Sequence, residues 1–109
     1  VIGDWRPERR IVDAGLLAIL KVRWDECCLC GETEDLHIHH IVYRSHSGDD
    51  VEANLCCLCV SCHTGIHSRS TEKWEALAGY IAAERSDTAK YLRRKLGGRA
   101  LLYLGGCQP

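Results

Sequence analysis

At 109 residues, with 14 lysines and arginines against 15 acids and a formal net charge of −1, the chain fits one domain with a modest core and does not read as a generic polyanion binder. It holds eight cysteines, and seven of them lie with all six histidines inside residues 27–67. No signal peptide is evident and no apolar run reaches the ~20 residues of a membrane span, so a soluble, cytoplasmic metalloprotein is expected rather than a disulfide framework.

In chain order, residues 1–10 (VIGDWRPERR) are polar and contain a proline, which predicts an exposed lead-in. The chain opens on Val1 and contains no methionine, so a native start upstream is expected. From Ile11 to Trp24, the residues Val12, Leu16, Ile19 and Leu20 fall at helical spacing with Leu17 and Trp24 beside them. That pattern predicts an amphipathic helix covering the metal core, with Lys21 and Arg23 complementing the dipole at its C-terminal end.

Cys27 to Gly31 reads as a tight knuckle. Leu36 to Val42 predicts a short strand, Ser45 to Asp50 a turn, and Asn54 to Cys59 a second strand. Ser61 to Ser68 predicts a helix opened by its serine, with His63 and His67 one turn apart on one face. A further helix, capped by Ser70 or Thr71, runs to about Arg85 with Trp74, Leu77 and Ile81 inward. Ser86 caps another, with Leu92 and Leu96 inward and Gly97 and Gly98 ending it. The tail ALLYLGGCQP has no predicted place, and there is no internal repeat beyond the two CCLC clusters.

Charge is segregated along this order. Asp25 to Glu52 holds eight acids and one base, Arg44, whereas Arg69 to Arg99 holds eight bases and four acids. A basic flank beside a metal-rich centre is compatible with a nearby phosphate backbone and equally with a solvated helix face.

Two Cys-x-x-Cys pairs, Cys27 with Cys30 and Cys59 with Cys62, bracket a 28-residue excursion. Each pair offers two thiolates from one turn, and together they make the closed four-sulfur shell of structural zinc. Cys56 with Cys59 has the same spacing. Cys59 with Cys62 is preferred because Cys62 then sits at a helix start, where free N–H groups favour a thiolate. Cys28, Cys56 and Cys57 read as small buried apolar residues, and Cys107 has no assigned role.

The histidines are then left over. His39, His63 and His67 are candidates for a second ion, because an i, i+4 pair on a helix can present two imidazoles to one metal. Three neutral nitrogens leave coordination positions open, which suits catalysis. The adjacent His40 could act as a general base near neutral pH. In an ideal strand His37 shares a face with His39 while His40 points the other way, so His37 stays open as an alternative ligand.

Taken together, the first Cys-x-x-Cys, the HHI at 39–41, the NL at 54–55 and the LCVSCHTGIH at 58–67 resemble the HNH endonucleases. The resemblance covers about 41 residues and implies a small α+β fold: a zinc-stapled ββα-metal, treble-clef-like core at 27–68. Helices at 11–24 and 70–98 would flank it in a single 1–109 domain. It implies that His40 activates water, that Asn54 holds the loop and orients that histidine, and that His39, His63 and His67 bind the catalytic ion. Two positions depart from the family pattern. His37 stands where an acid is frequent and Tyr43 where a proline is frequent, which makes His37 a group behind the ligands or a substitute ligand. Arg44 is a candidate phosphate contact, and His46 reads as a surface residue.

The expected activity is metal-dependent hydrolysis of DNA phosphodiester bonds. Structural Zn2+ would accompany a catalytic Mn2+, Ni2+, Co2+, Mg2+ or Zn2+ ion. Similarity to small phage-encoded nucleases adds phage terminase or other packaging proteins as partners, in the host cytoplasm. The alternative is a zinc-stabilised nucleic-acid-binding or interaction module without catalysis.

Overall fold

The structure is a computed structural model that describes residues 9–105; residues 1–8 of the expected lead-in, and Cys107, lie outside the described residues. The order is α1 (Ala14–Arg23), β1 (Leu36–His40), β2 (Leu55–Cys59), α2 (Val60–His67), α3 (Thr71–Glu84), α4 (Ser86–Leu96) and the short α5 (Leu101–Leu104), with single 3-10 turns at Arg44–His46, Glu52–Asn54 and Gly97–Ala100. This is the small α+β architecture expected from the sequence.

β1 and β2 form an antiparallel pair in which Leu36 faces Cys59, His39 faces Cys56 and His40 faces Leu55. Every residue of β2 is buried. Its run of leucines and cysteines therefore reads as a fully covered strand rather than an alternating one. Around it Ile41, Val42, Leu58, Ile66, Trp74, Leu77, Ile81, Tyr91 and Leu92 make the apolar core. Trp74 donates its indole N–H to the Ile66 carbonyl at 3.1 Å, which ties α3 to α2.

Four sequence expectations are corrected in detail. α1 starts at Ala14 rather than Ile11, because the Asp13 side chain accepts from the Leu16 N–H at 3.0 Å and caps it. Of its expected inward face only Leu20 is buried, while Val12 and Ile19 are exposed. α1 packs on β1 and lines the histidine side of the metal-rich region through Leu17, Ala18 and Lys21. The Ser61 cap of α2 is replaced by Cys59, whose Sγ accepts from the Cys62 N–H at 3.4 Å. Ser86 does not cap α4 with its side chain but lies inside the helix. Arg85, at the corner between α3 and α4, instead donates to the carbonyls of Leu55 at 3.0 Å and Glu52 at 2.7 Å and braces the start of β2. Arg10, expected in a free lead-in, is anchored to Asp50 at 2.8 Å and to the Gly48 carbonyl at 3.1 Å.

The loop from β1 to β2 is closed at its foot. Gly48 is buried against the end of β1, and a Cβ there would overlap the Val42 carbonyl. Ser70 caps α3, and Gly97 ends α4 at φ 59°, a conformation glycine adopts without strain. Among the described residues no helix is long and apolar enough to cross a membrane.

Candidate active site and metal centres

The sulfurs of Cys27, Cys30, Cys59 and Cys62 lie within 4.8 Å of one another, and Cys30 Sγ is 3.6 Å from Cys59 Sγ. Four sulfurs bound tetrahedrally at about 2.3 Å from a zinc ion stand about 3.8 Å apart, so the set fits that ion. The knuckle is built by backbone bonds, with Gly31 N–H on the Cys27 carbonyl and Cys27 N–H on the Glu32 carbonyl. As free thiols the four are mismatched. Backbone N–H groups overcome the effect of burial and hold Cys27 down at about 7, while burial among its neighbours pushes Cys62 up to about 12. Lys73 Nζ stands 3.4 Å from Cys62 Sγ, a positive charge where a four-thiolate site carries excess negative charge. Cys56 and Cys57 are buried outside this set, and Cys28 is half-buried.

The histidines converge on the other side of α2. Ring nitrogens of His39, His63 and His67 lie within 4.8 Å of one another, with His63 Nε2 3.0 Å from His67 Nε2. His39 comes from β1, and the other two are one turn apart on α2. His39 is 1% exposed, and its Nε2 is buried with no partner among the described residues. A buried ring nitrogen aimed at two others fits a metal ion. Burial, with the neighbouring histidines adding, lowers His39 to about 3, and burial lowers His63 to about 4. Neutral imidazole is the ligating form.

His37 is placed outside this trio. Its Nδ1 is 2.9 Å from His63 Nδ1, so His63 meets His67 through one ring nitrogen and His37 through the other. Tyr43 stacks on His67 with ring centroids 5.0 Å apart, and on His46, which is exposed, at 5.7 Å.

His40 points away from the trio, as strand alternation requires. Its Nε2 lies 2.7 Å from Asp50 Oδ1. His40 nevertheless lines the same open cleft of about 850 Å³ as His37, His39, His63 and His67, with Leu17 and Lys21 of α1 and Arg44 and Ser45 of the loop. Lys21 and Arg44 are exposed, so two cations flank the histidines.

Asn54 is 0% exposed, and its side-chain hydrogen bonds go to Val42 and Asp49 rather than to His40. Its Oδ1 accepts from Val42 N–H at 2.8 Å, and its Nδ2 donates to the carbonyls of Val42 at 3.1 Å and Asp49 at 2.9 Å. It therefore pins the end of β1 to the foot of the loop. Asn54→Ala leaves three buried backbone groups unpaired. At about 1–3 kcal/mol for each, a loss of about 3 kcal/mol or more in urea unfolding is expected, and a loss below about 1 kcal/mol would deny Asn54 this role.

Sequence reading missed Asp50, which it counted only as a turn acid. Asp50 is 1% exposed. Burial raises its pKa, but the Asp13 N–H, Arg10 and His40 together hold the carboxyl below the usual carboxylate range. Its neighbour Asp49 is held by Tyr91 Oη at 2.6 Å and by Lys95 Nζ at 3.0 Å, which fastens the foot of the loop to α4. The available signal was topological. The loop leaves at His40 and returns at Leu55, the residue paired with His40, so its returning limb must pass beside that histidine.

Residues 27–69 match the family model described as HNH endonuclease. No curated protein and no solved structure gives a significant match to the chain.

Proposed function

We propose that this chain, whose residues 27–69 match the HNH endonuclease family model, is a metal-dependent endonuclease that hydrolyses DNA phosphodiester bonds. The single observation that carries the reading is the convergence of His39, His63 and His67 in one cleft with His40. A four-cysteine scaffold requires none of these histidines. His39, His63 and His67 would hold a divalent ion, which would supply electrophilic stabilisation of the negative charge that builds on the phosphate.

The remaining work falls to the chain's own groups. His40 has Nε2 engaged by Asp50, so Nδ1 is the nitrogen left to take a proton from the attacking water. The water oxygen then bonds to phosphorus, and the bond from phosphorus to the 3′-oxygen breaks. Lys21 and Arg44, lining the cleft beside the histidines, hold flanking phosphates by charge alone, which carries no sequence information. Weak sequence preference is therefore expected. The four cysteines would hold a structural zinc. A role beside a phage packaging enzyme rests on the resemblance alone, and co-purification with a terminase tests it.

Supercoiled plasmid incubated with the zinc-loaded protein should be nicked when manganese, nickel or cobalt is added and left intact in EDTA. Binding of the plasmid without nicking under every divalent ion would favour the non-catalytic binding module.

A further inference from the structure

We propose that Asp50 is the positioning residue of the general base: its buried carboxylate fixes the His40 ring with the proton on Nε2 and leaves the Nδ1 lone pair for water. The inference rests on the nuclease reading for its catalytic meaning, but its structural content stands on the contact itself.

The contact is short and enclosed, with His40 Nε2 2.7 Å from Asp50 Oδ1 and the carboxylate 1% exposed. An ionised carboxylate only accepts hydrogen bonds, so the ring nitrogen facing it must be the donor. A neutral imidazole carries one proton, and once that proton is on Nε2 the other nitrogen is an acceptor. Asp50 is itself immobilised by three further hydrogen bonds, two to its carboxylate and one from its backbone N–H. Arg10 Nη1 donates to Oδ1 at 2.8 Å, the Asp13 N–H donates to Oδ2 at 2.9 Å, and the Asp50 N–H donates to the Ile11 carbonyl at 2.8 Å. Residues 10–13, ahead of α1, thus clamp the acid that clamps the histidine. The arrangement has the logic of an acid–imidazole pair in which the acid sets tautomer and orientation and stays ionised. Asn54 acts one step further back, through the Asp49 carbonyl that adjoins Asp50.

The test compares Asp50→Asn with the parent, both zinc-loaded, in single-turnover plasmid nicking and in long-range 1H–15N spectra of the histidine rings. Asparagine keeps the shape but can present N–H donors, which favours the other tautomer. The parent spectrum should place the His40 proton on Nε2, and D50N should move it to Nδ1 or to a mixture. Nicking by D50N should fall on the order of 10²-fold or more with plasmid affinity unchanged. In a His40→Ala background D50N should cost nothing further, because the acid acts only through the ring.

Arg10→Gln removes the same ion pair while sparing His40. Because Arg10 orders the acid that orders the ring, the change should lower stability and, by less than D50N, the single-turnover rate, with the His40 proton still on Nε2. A parent His40 protonated on Nδ1 overturns the proposal, and so does a D50N penalty that persists undiminished in His40→Ala. A parent that nicks nothing sinks the nuclease reading instead, while the spectra still decide what Asp50 does to the ring.

Discussion

Chelating the zinc proposed for the four-cysteine site, or replacing Cys62 with serine, is expected to leave a chain without cooperative structure at 25 °C. Structural zinc in small domains contributes an apparent free energy of roughly 10–16 kcal/mol, whereas the whole stability of a domain is about 5–15 kcal/mol. The loss is therefore as large as the whole stability of a typical domain. The position of the site makes the effect global. Cys27, Cys59 and Cys62 belong to the buried core with Leu58, Ile66 and Trp74, and Cys59 also caps α2. Without the ion, four crowded sulfurs, three of them buried, must redistribute protons, and Lys73 faces a neutral thiol. Far-UV circular dichroism recorded with a chromogenic zinc-release assay checks this. Stoichiometric release with an unchanged melt would remove the staple. Depleting the histidine trio should behave differently, leaving a folded protein that does not cut.

His40→Ala should retain fold and zinc while cleavage falls by about 10²–10⁴-fold, the range that a positioned general base supplies. The fold is spared because His40 is at the end of β1 and only half-buried. Deleting its ring leaves Asp50 still bonded to Arg10 and to the Asp13 N–H, so no buried charge is stranded. Single-turnover nicking with saturating metal separates chemistry from metal loading. A rate within a few-fold of the parent would exclude His40 as the base.

What could be read from the sequence follows the range of each interaction. Cys-x-x-Cys spacing and the i, i+4 histidines are local, so they mark the sulfur pairs and His63 with His67 without tertiary knowledge, whereas the choice of His39 over His37 rests on the resemblance. The helix capped by Ser70 is likewise local, since Ser70, Trp74, Leu77 and Ile81 lie within a few turns of one another. The misses are long-range. Helical periodicity placed Val12 and Ile19 inward, but residues 11–13 are drawn into hydrogen bonds with Asp49 and Asp50 some 37–38 positions away, and they leave the helix. Cys59 outcompetes Ser61 as a cap because the strand delivers its sulfur to the first turn of α2. The same limit hid Asp50 and the anchoring of Arg10, separated by 40 residues. Nothing local distinguishes Asp50 from an ordinary turn acid.

The closure at Gly48 divides the β1–β2 loop into two parts with unequal freedom to vary. Arg44 to Ser47 form an exposed tip, and Arg44 and Ser45 face the cleft. Residues 48–50 are buried and admit neither a side chain at Gly48 nor a shift of the two aspartates behind it. Insertions or exchanges in the tip would remodel what the cleft contacts while leaving the proton-accepting ring where it is. Lengthening the foot by a single residue would displace both. Under the proposed function, diversification of substrate contacts would thereby be uncoupled from the chemistry, within one loop of fewer than fifteen residues.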